Sequence, residues 1–173
     1  MHFPMKFGFR FLLRILFRFR AYNYEELKAP GPLLLIPNHC SWIDWLFLWV
    51  LLDNDWKFVT SSLAAQNTWL HRKLMINQYT LSIDPSSPYA VKRMSEFLQG
   101  GGRLVLFAEG RLSRTGTLMK LFDGTGFLIF KTKAKVITAY LRGAAALPYS
   151  PNPNGKKIIP QSHRPFQHLA DIS

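Results

Sequence analysis

The chain has a single cysteine, Cys40, in 173 residues. That excludes an intramolecular disulfide and a zinc site built on cysteines, and it is compatible with a reducing compartment. The five histidines are scattered, with no HxxxH or HExxH pair, so the sequence offers no helical histidine metal site. Acids are scarce: 10 against 22 lysines and arginines, a formal net charge of +12. A balance this basic points to an anionic partner, whether nucleic acid, anionic lipid or a phosphorylated substrate. No recognisable DNA- or RNA-binding motif accompanies the charge, so a nucleic-acid role rests on charge alone. No uninterrupted apolar run approaches the roughly 20 residues of a membrane-spanning helix. Against these absences stands a hydrophobic content of 48% and an aromatic content of 14%. That is enough to bury the core of one domain and excludes a disordered polyelectrolyte.

The first twenty residues hold Lys6, Arg10, Arg14, Arg18 and Arg20, no acid, and a dense set of Phe, Leu and Ile. Arginines interrupt the apolar stretch and no small-residue cleavage site follows, which argues against a signal peptide. Arg10, Arg14 and Arg18 recur every fourth residue, so a helix would carry them as one basic stripe beside phenylalanines. That pattern predicts an amphipathic helix lying in a membrane interface over residues 1–22, with the arginines among lipid phosphates. The plainer reading is a core helix with a solvated edge.

Further along, Ala29-Pro30-Gly31-Pro32 breaks the chain. Leu33–Ile36 reads as a short buried strand ended by Pro37, and Ser41–Leu52 as an apolar helix. Lys57–Thr60 and Tyr79–Ile83 read as strands, with a helix over Leu63–Leu74 between them. Tyr89–Leu98 reads as a helix closed by three glycines, and Arg103–Phe107 as a strand opening into a loop over Glu109–Gly116. A helix over Phe122–Lys131 and a strand over Val136–Leu141 complete the pattern. Strands alternating with helices predict an α/β sandwich with a largely parallel sheet, whose ligands gather at the carboxyl ends of the strands. The core is expected over residues 23–146. Residues 147–173, punctuated by five prolines, are expected to be an irregular tail only loosely part of that core.

Two stretches carry chemistry. In Asn38-His39-Cys40-Ser41-Trp42-Ile43-Asp44, a helical turn can bring Asp44 round to His39. The carboxylate would fix the imidazole tautomer and leave the other ring nitrogen as a base. In an apolar context Asp44 needs such a partner to offset desolvation. The alternative is a capping histidine beside a buried structural acid. In the second stretch, a strand opens into Glu109-Gly110-Arg111-Leu112-Ser113-Arg114-Thr115-Gly116. Arginine forks and glycine-flanked N–H groups suit a phosphate ester. Glu109 could hold an arginine or bind acceptor hydroxyls, and the plainer reading is a solvated surface loop. His71 beside Arg72 and Lys73 reads as a surface histidine or part of a basic patch. His2, His163 and His168 lie near the termini. The five tryptophans read as core or interface anchors.

Together the stretches resemble the glycerolipid acyltransferases, with their NHxxxxD and FPEG blocks. Ile83-Asp84 and Val136-Ile137-Thr138-Ala139-Tyr140 fit two further blocks, so the resemblance runs roughly from Phe9 to Ala144. The run from Glu109-Gly110-Arg111 to Asp123-Gly124-Thr125-Gly126-Phe127 is similar to the acyltransferase part of the bifunctional 2-acylglycerophosphoethanolamine acyltransferase/acyl-[acyl-carrier-protein] synthetases. Ala108 and Thr138 depart from the family, each standing where it has proline, and the resemblance covers only the acyltransferase part of those bifunctional enzymes. The resemblance implies a glycerol-3-phosphate acyltransferase-like sandwich and transfer of an acyl group from acyl-acyl carrier protein or acyl-CoA to a lysophospholipid hydroxyl. It implies His39 as general base, Asp44 as its orienting partner, and Asn38, Glu109, Gly110, Arg111 and Arg114 as substrate-binding residues. It implies no metal, no bound cofactor and no nucleic acid, and a peripheral or monotopic position on the cytoplasmic face of a membrane, such as a bacterial inner membrane. The competing readings are a membrane-binding remnant that has lost turnover, a hydrolase using the same pair, and a nucleic-acid-binding module.

Overall fold

The computed structural model of the chain describes residues 3–62, 77–113, 119–143 and 170–171. It opens with helix α1 (Phe3–Phe17), strand β1 (Arg20–Ala21) and a 3-10 turn over Tyr24–Lys28. Then come β2 (Leu33–Pro37), α2 (Asp44–Trp49), β3 (Trp56–Ser61), β4 (Thr80–Ile83), α3 (Tyr89–Gln99), β5 (Arg103–Val105), α4 (Gly124–Thr132), β6 (Lys135–Ala139), β7 (Leu141–Arg142) and β8 (Ala170–Asp171). The expected helix over 63–74 lies outside the described residues.

β2 is apolar throughout because it is buried on both faces, as the central strands of a parallel sheet are. Its side chains alternate between two cores. Leu33 and Leu35 join the cluster under α1 and α2, which holds Leu13, Phe19, Phe47, Leu48 and Trp56. Leu34 joins the cluster under α3 and α4, with Met94, Leu98, Leu104 and Leu128. The two helix pairs therefore cover opposite faces of the sheet, and the fold is the α/β sandwich that the alternation of elements predicts.

The main sheet has the order β4-β3-β5-β2-β6, and every neighbouring pair in it is parallel. From β2 the chain moves outward to β3 and β4, returns to β5 beside β2, and then places β6 on the other side of β2. β5 is shorter than the sequence suggests. It pairs with β2 only as far as Val105 opposite Leu35, whereas β2 continues to Pro37 opposite Ala139 of β6. The carboxyl ends of β2 and β5 thus diverge and leave a crevice where strand order turns back, the place where such sheets bind ligands.

Other boundaries also differ from expectation, two of them near the site or at the end of the chain. α2 begins at Asp44 rather than Ser41, because the Asp44 side chain closes the preceding turn on backbone N–H groups. At the other end of the chain, Ala170–Asp171 pairs antiparallel with β1 and parallel with β7, forming a second, three-stranded sheet. This much of the expected irregular tail is a strand tied to both ends of the core; residues 147–169 lie outside the described residues.

Candidate active site

Asp44 is fully buried, and its Oδ2 is the centre of the site. That oxygen accepts the backbone N–H of Cys40 at 2.6 Å and of Ser41 at 2.8 Å, and lies 3.0 Å from Nδ1 of His39. An oxygen already accepting two N–H groups is an acceptor toward the imidazole too, so Nδ1 carries the proton and donates it. Nε2 is then the unprotonated nitrogen, and it has no hydrogen bond among the described residues. The second carboxylate oxygen, Oδ1, is buried without a partner among them. The His39 side chain keeps about a fifth of its surface open to the crevice. Its ring stacks on Phe107, with centroids 4.1 Å apart and planes inclined by 26°.

Asn38 is buried and ties the exit of β2 to β7. Its Oδ1 accepts the Leu141 N–H at 2.6 Å, and its Nδ2 donates to the Leu141 carbonyl and the Cys40 sulfur, each at 3.3 Å. Asn38, expected to bind substrate, stands as a brace behind His39, its side chain engaged with Leu141 and Cys40. Cys40 is buried, and burial, with Asp44 adding to it, pushes its thiol up to about 12. It stays a neutral thiol near neutrality, and only a thiolate is a competent nucleophile.

Glu109 comes to the site from the end of β5. Oε1 accepts the backbone N–H of His39 at 3.0 Å, and Oε2 accepts that of Met119 at 3.1 Å. The side chain is buried, and burial raises its carboxyl pKa while the two N–H donors pull it back. Gly110 follows in the left-handed region at φ 66°, and its N–H closes a turn on the Phe107 carbonyl. A side chain is strained in that conformation, which is why a glycine follows the glutamate. Arg111 stands exposed on the loop beyond it. Arg114 lies outside the described residues, as do His2, His71, His163, His168 and Trp69. No group of three His, Cys, Asp or Glu side chains able to hold a metal occurs among the described residues.

Three contributors went unread in the sequence. Phe107 is the last residue of the apolar run before Ala108-Glu109, so a sequence signal for a side chain near the site was present. The Ser113 N–H, which donates to the His39 carbonyl at 2.7 Å, and the Met119 N–H had none, because backbone groups leave no mark in composition.

The basic N-terminal segment forms a separate surface. α1 packs on the core through Leu13, through Phe17 edge-on to Phe47 at 5.6 Å, and through Phe9 edge-on to Trp49 at 5.9 Å. Lys6 donates to the Leu52 carbonyl at 2.7 Å. The opposite arc exposes Phe7, Phe11, Leu12, Ile15 and Leu16, three of them more than 60% exposed. Arg10 and Arg14 flank that arc and, with Phe7 and Phe11, line a shallow hollow. Arg18 leaves the stripe: it has φ 48° and ends the helix instead of extending it. No helix among the described residues is long and apolar enough to cross a membrane.

Comparison with known proteins adds two findings. The acyltransferase family matches residues 18–142, which include the whole His39–Asp44 and Glu109 arrangement. Among solved structures, the chain is similar to the 1-acyl-sn-glycerophosphate (LPA) acyltransferase PlsC from Thermotoga maritima, with a TM-score of 0.52 and 18% identity. The similarity covers 67% of this chain and 46% of that one, so the chain spans about half of the relative's length.

Proposed function

The chain belongs to the acyltransferase family, and from that premise we propose that it moves a fatty acyl group from an acyl thioester to the free hydroxyl of a lysophospholipid at a membrane surface. The observation that carries this reading is the pair itself: Nδ1 of His39 held 3.0 Å from a buried carboxylate, with Nε2 left open toward the crevice. Nε2 takes the proton of the acceptor hydroxyl as that oxygen attacks the thioester carbonyl carbon. Asp44 keeps the tautomer and stabilises the imidazolium that forms. When the tetrahedral intermediate collapses, the C–S bond breaks and Nε2–H returns the proton to the departing sulfur. The product is an ester and a free thiol, with no acyl-enzyme; the neutral, buried Cys40 is consistent with direct transfer. A thioester is already activated, so one base and good positioning suffice.

Arg111, exposed on the loop after Glu109-Gly110, supplies positive charge for the acceptor's phosphate, and Arg114, three residues on in the sequence, is the second cationic candidate. The placement of an arginine directly after Glu109-Gly110, as in the bifunctional subgroup, favours a lysophospholipid such as lysophosphatidylethanolamine over lysophosphatidic acid. The exposed apolar arc of α1 and its flanking arginines suit a membrane interface, here the cytoplasmic leaflet that contains the acceptor. The donor is acyl-acyl carrier protein or acyl-CoA.

The test is acyl transfer by the purified chain in mixed micelles. Each donor is offered with lysophosphatidylethanolamine and with lysophosphatidic acid. Transfer to lysophosphatidylethanolamine supports the reading, and the faster donor identifies the carrier. Release of free fatty acid without ester product would favour a hydrolase. No reaction from a folded, vesicle-bound protein would leave a lipid-binding relative without turnover.

A further inference from the structure

Glu109 is expected from the sequence to touch the acceptor, but the geometry points to a different task. We propose that Glu109 is a positioning residue that fixes the backbone carrying the base, and not a ligand of the acceptor; this rests on the transfer reading of the site. Each of its oxygens already has a backbone donor: the His39 N–H at 3.0 Å, seventy residues away in sequence, and the Met119 N–H at 3.1 Å, ten residues on. The residue is only 7% exposed, so little of it faces the crevice.

The other contacts converge on the same peptide. The Ser113 N–H holds the His39 carbonyl at 2.7 Å, so both polar groups of that residue's backbone are fixed by the segment following β5. Phe107 holds the ring face, and the Phe122 N–H ties the Ala108 carbonyl at 2.7 Å. Asp44 sets which way the imidazole turns, and Glu109 sets where its Cα stands. A base must reach its proton at hydrogen-bond distance, and a shift of about 1 Å can cost roughly a hundredfold in rate. One carboxylate spanning two segments is therefore a device for placing the base relative to the acceptor loop.

Substitution separates the two roles. In Glu109→Gln one oxygen becomes an NH2 group that confronts a backbone N–H. In Glu109→Asp the charge remains but the side chain is one methylene too short to span both donors. Rates are measured on the full chain in micelles with lysophosphatidylethanolamine, at saturating donor. Both variants are expected to lose at least about tenfold in kcat, with KM for the acceptor changed by less than about twofold. A raised KM with kcat kept would overturn the proposal in favour of acceptor binding. Full kcat in Glu109→Asp would overturn it in favour of charge alone. Amide hydrogen exchange of the wild-type chain provides a readout that needs neither turnover nor a folded variant. The His39 and Met119 amides are expected to be protected, and a Met119 amide exchanging like an open loop would contradict the clamp even if transfer fails altogether.

Discussion

Around Asp44 the chain buries polar atoms and connects them; along α1 it exposes apolar side chains and leaves them uncovered. In the crevice one carboxylate oxygen has three N–H partners, and a second carboxylate links His39 to Met119. On α1 the outer arc is phenylalanine, leucine and isoleucine, with arginines only at its edge. Both arrangements are costly in isolation. A buried carboxylate needs its donors, and an exposed apolar face of this kind is a liability in water. Asp44 Oδ2 and both Glu109 oxygens are met by the protein's own N–H groups, whereas the α1 face is left uncovered, and we read its covering as a lipid surface. On that reading chemistry and docking occupy different parts of the molecule and are expected to fail independently.

The largest expected effect is on the chemical side. His39→Ala is expected to lower the rate of transfer by about 10²–10⁴, the usual contribution of a positioned base, with vesicle binding unchanged. Asp44→Ala removes the same chemistry and also strands the Cys40 and Ser41 N–H groups. Orphaned buried donors cost about 1–3 kcal/mol each, so urea unfolding is expected to show several kcal/mol of lost stability that His39→Ala does not share. On the docking side, Arg10→Gln with Arg14→Gln removes two charges, each contributing about 1 kcal/mol at an anionic surface. Affinity for anionic vesicles is expected to fall roughly thirtyfold in a sedimentation assay, while kcat in detergent micelles is kept.

The smallest effect concerns Cys40. Burial holds its thiol at about 12 against an ordinary 9.0, so the folded chain is expected to resist iodoacetamide at pH 8 and the unfolded chain to react. Because the folded pKa of this acid is the higher one, only the unfolded chain ionises as pH rises past 9.0. This group's ionisation leaves stability unchanged below that pH and lowers it between 9.0 and about 12, measurable as a falling midpoint of unfolding.

Much of the fold was legible because its signals are local. The four-residue apolar run at Leu33–Ile36 is a strand buried on both faces, and the three glycines at Gly100–Gly102 do close α3. The His39–Asp44 contact was also readable, because a single turn separates the two residues. What the sequence concealed is long-range. The early end of β5 follows from a crevice that opens only once β2 pairs with β6. The tasks of Asn38 and Glu109 depend on backbone groups at Leu141 and Met119, to which no side-chain pattern points. Arg18 kept the four-residue spacing of a stripe, yet the helix stops before it.

The most direct test measures transfer and vesicle binding on the same preparations of three proteins: wild type, His39→Ala, and the Arg10→Gln/Arg14→Gln double variant. His39→Ala is expected to bind vesicles like wild type and not to transfer, and the double variant to transfer in micelles and bind vesicles weakly. A His39→Ala protein that still transfers would contradict the assignment of the base. Loss of both properties in both folded variants would contradict the separation of chemistry from docking.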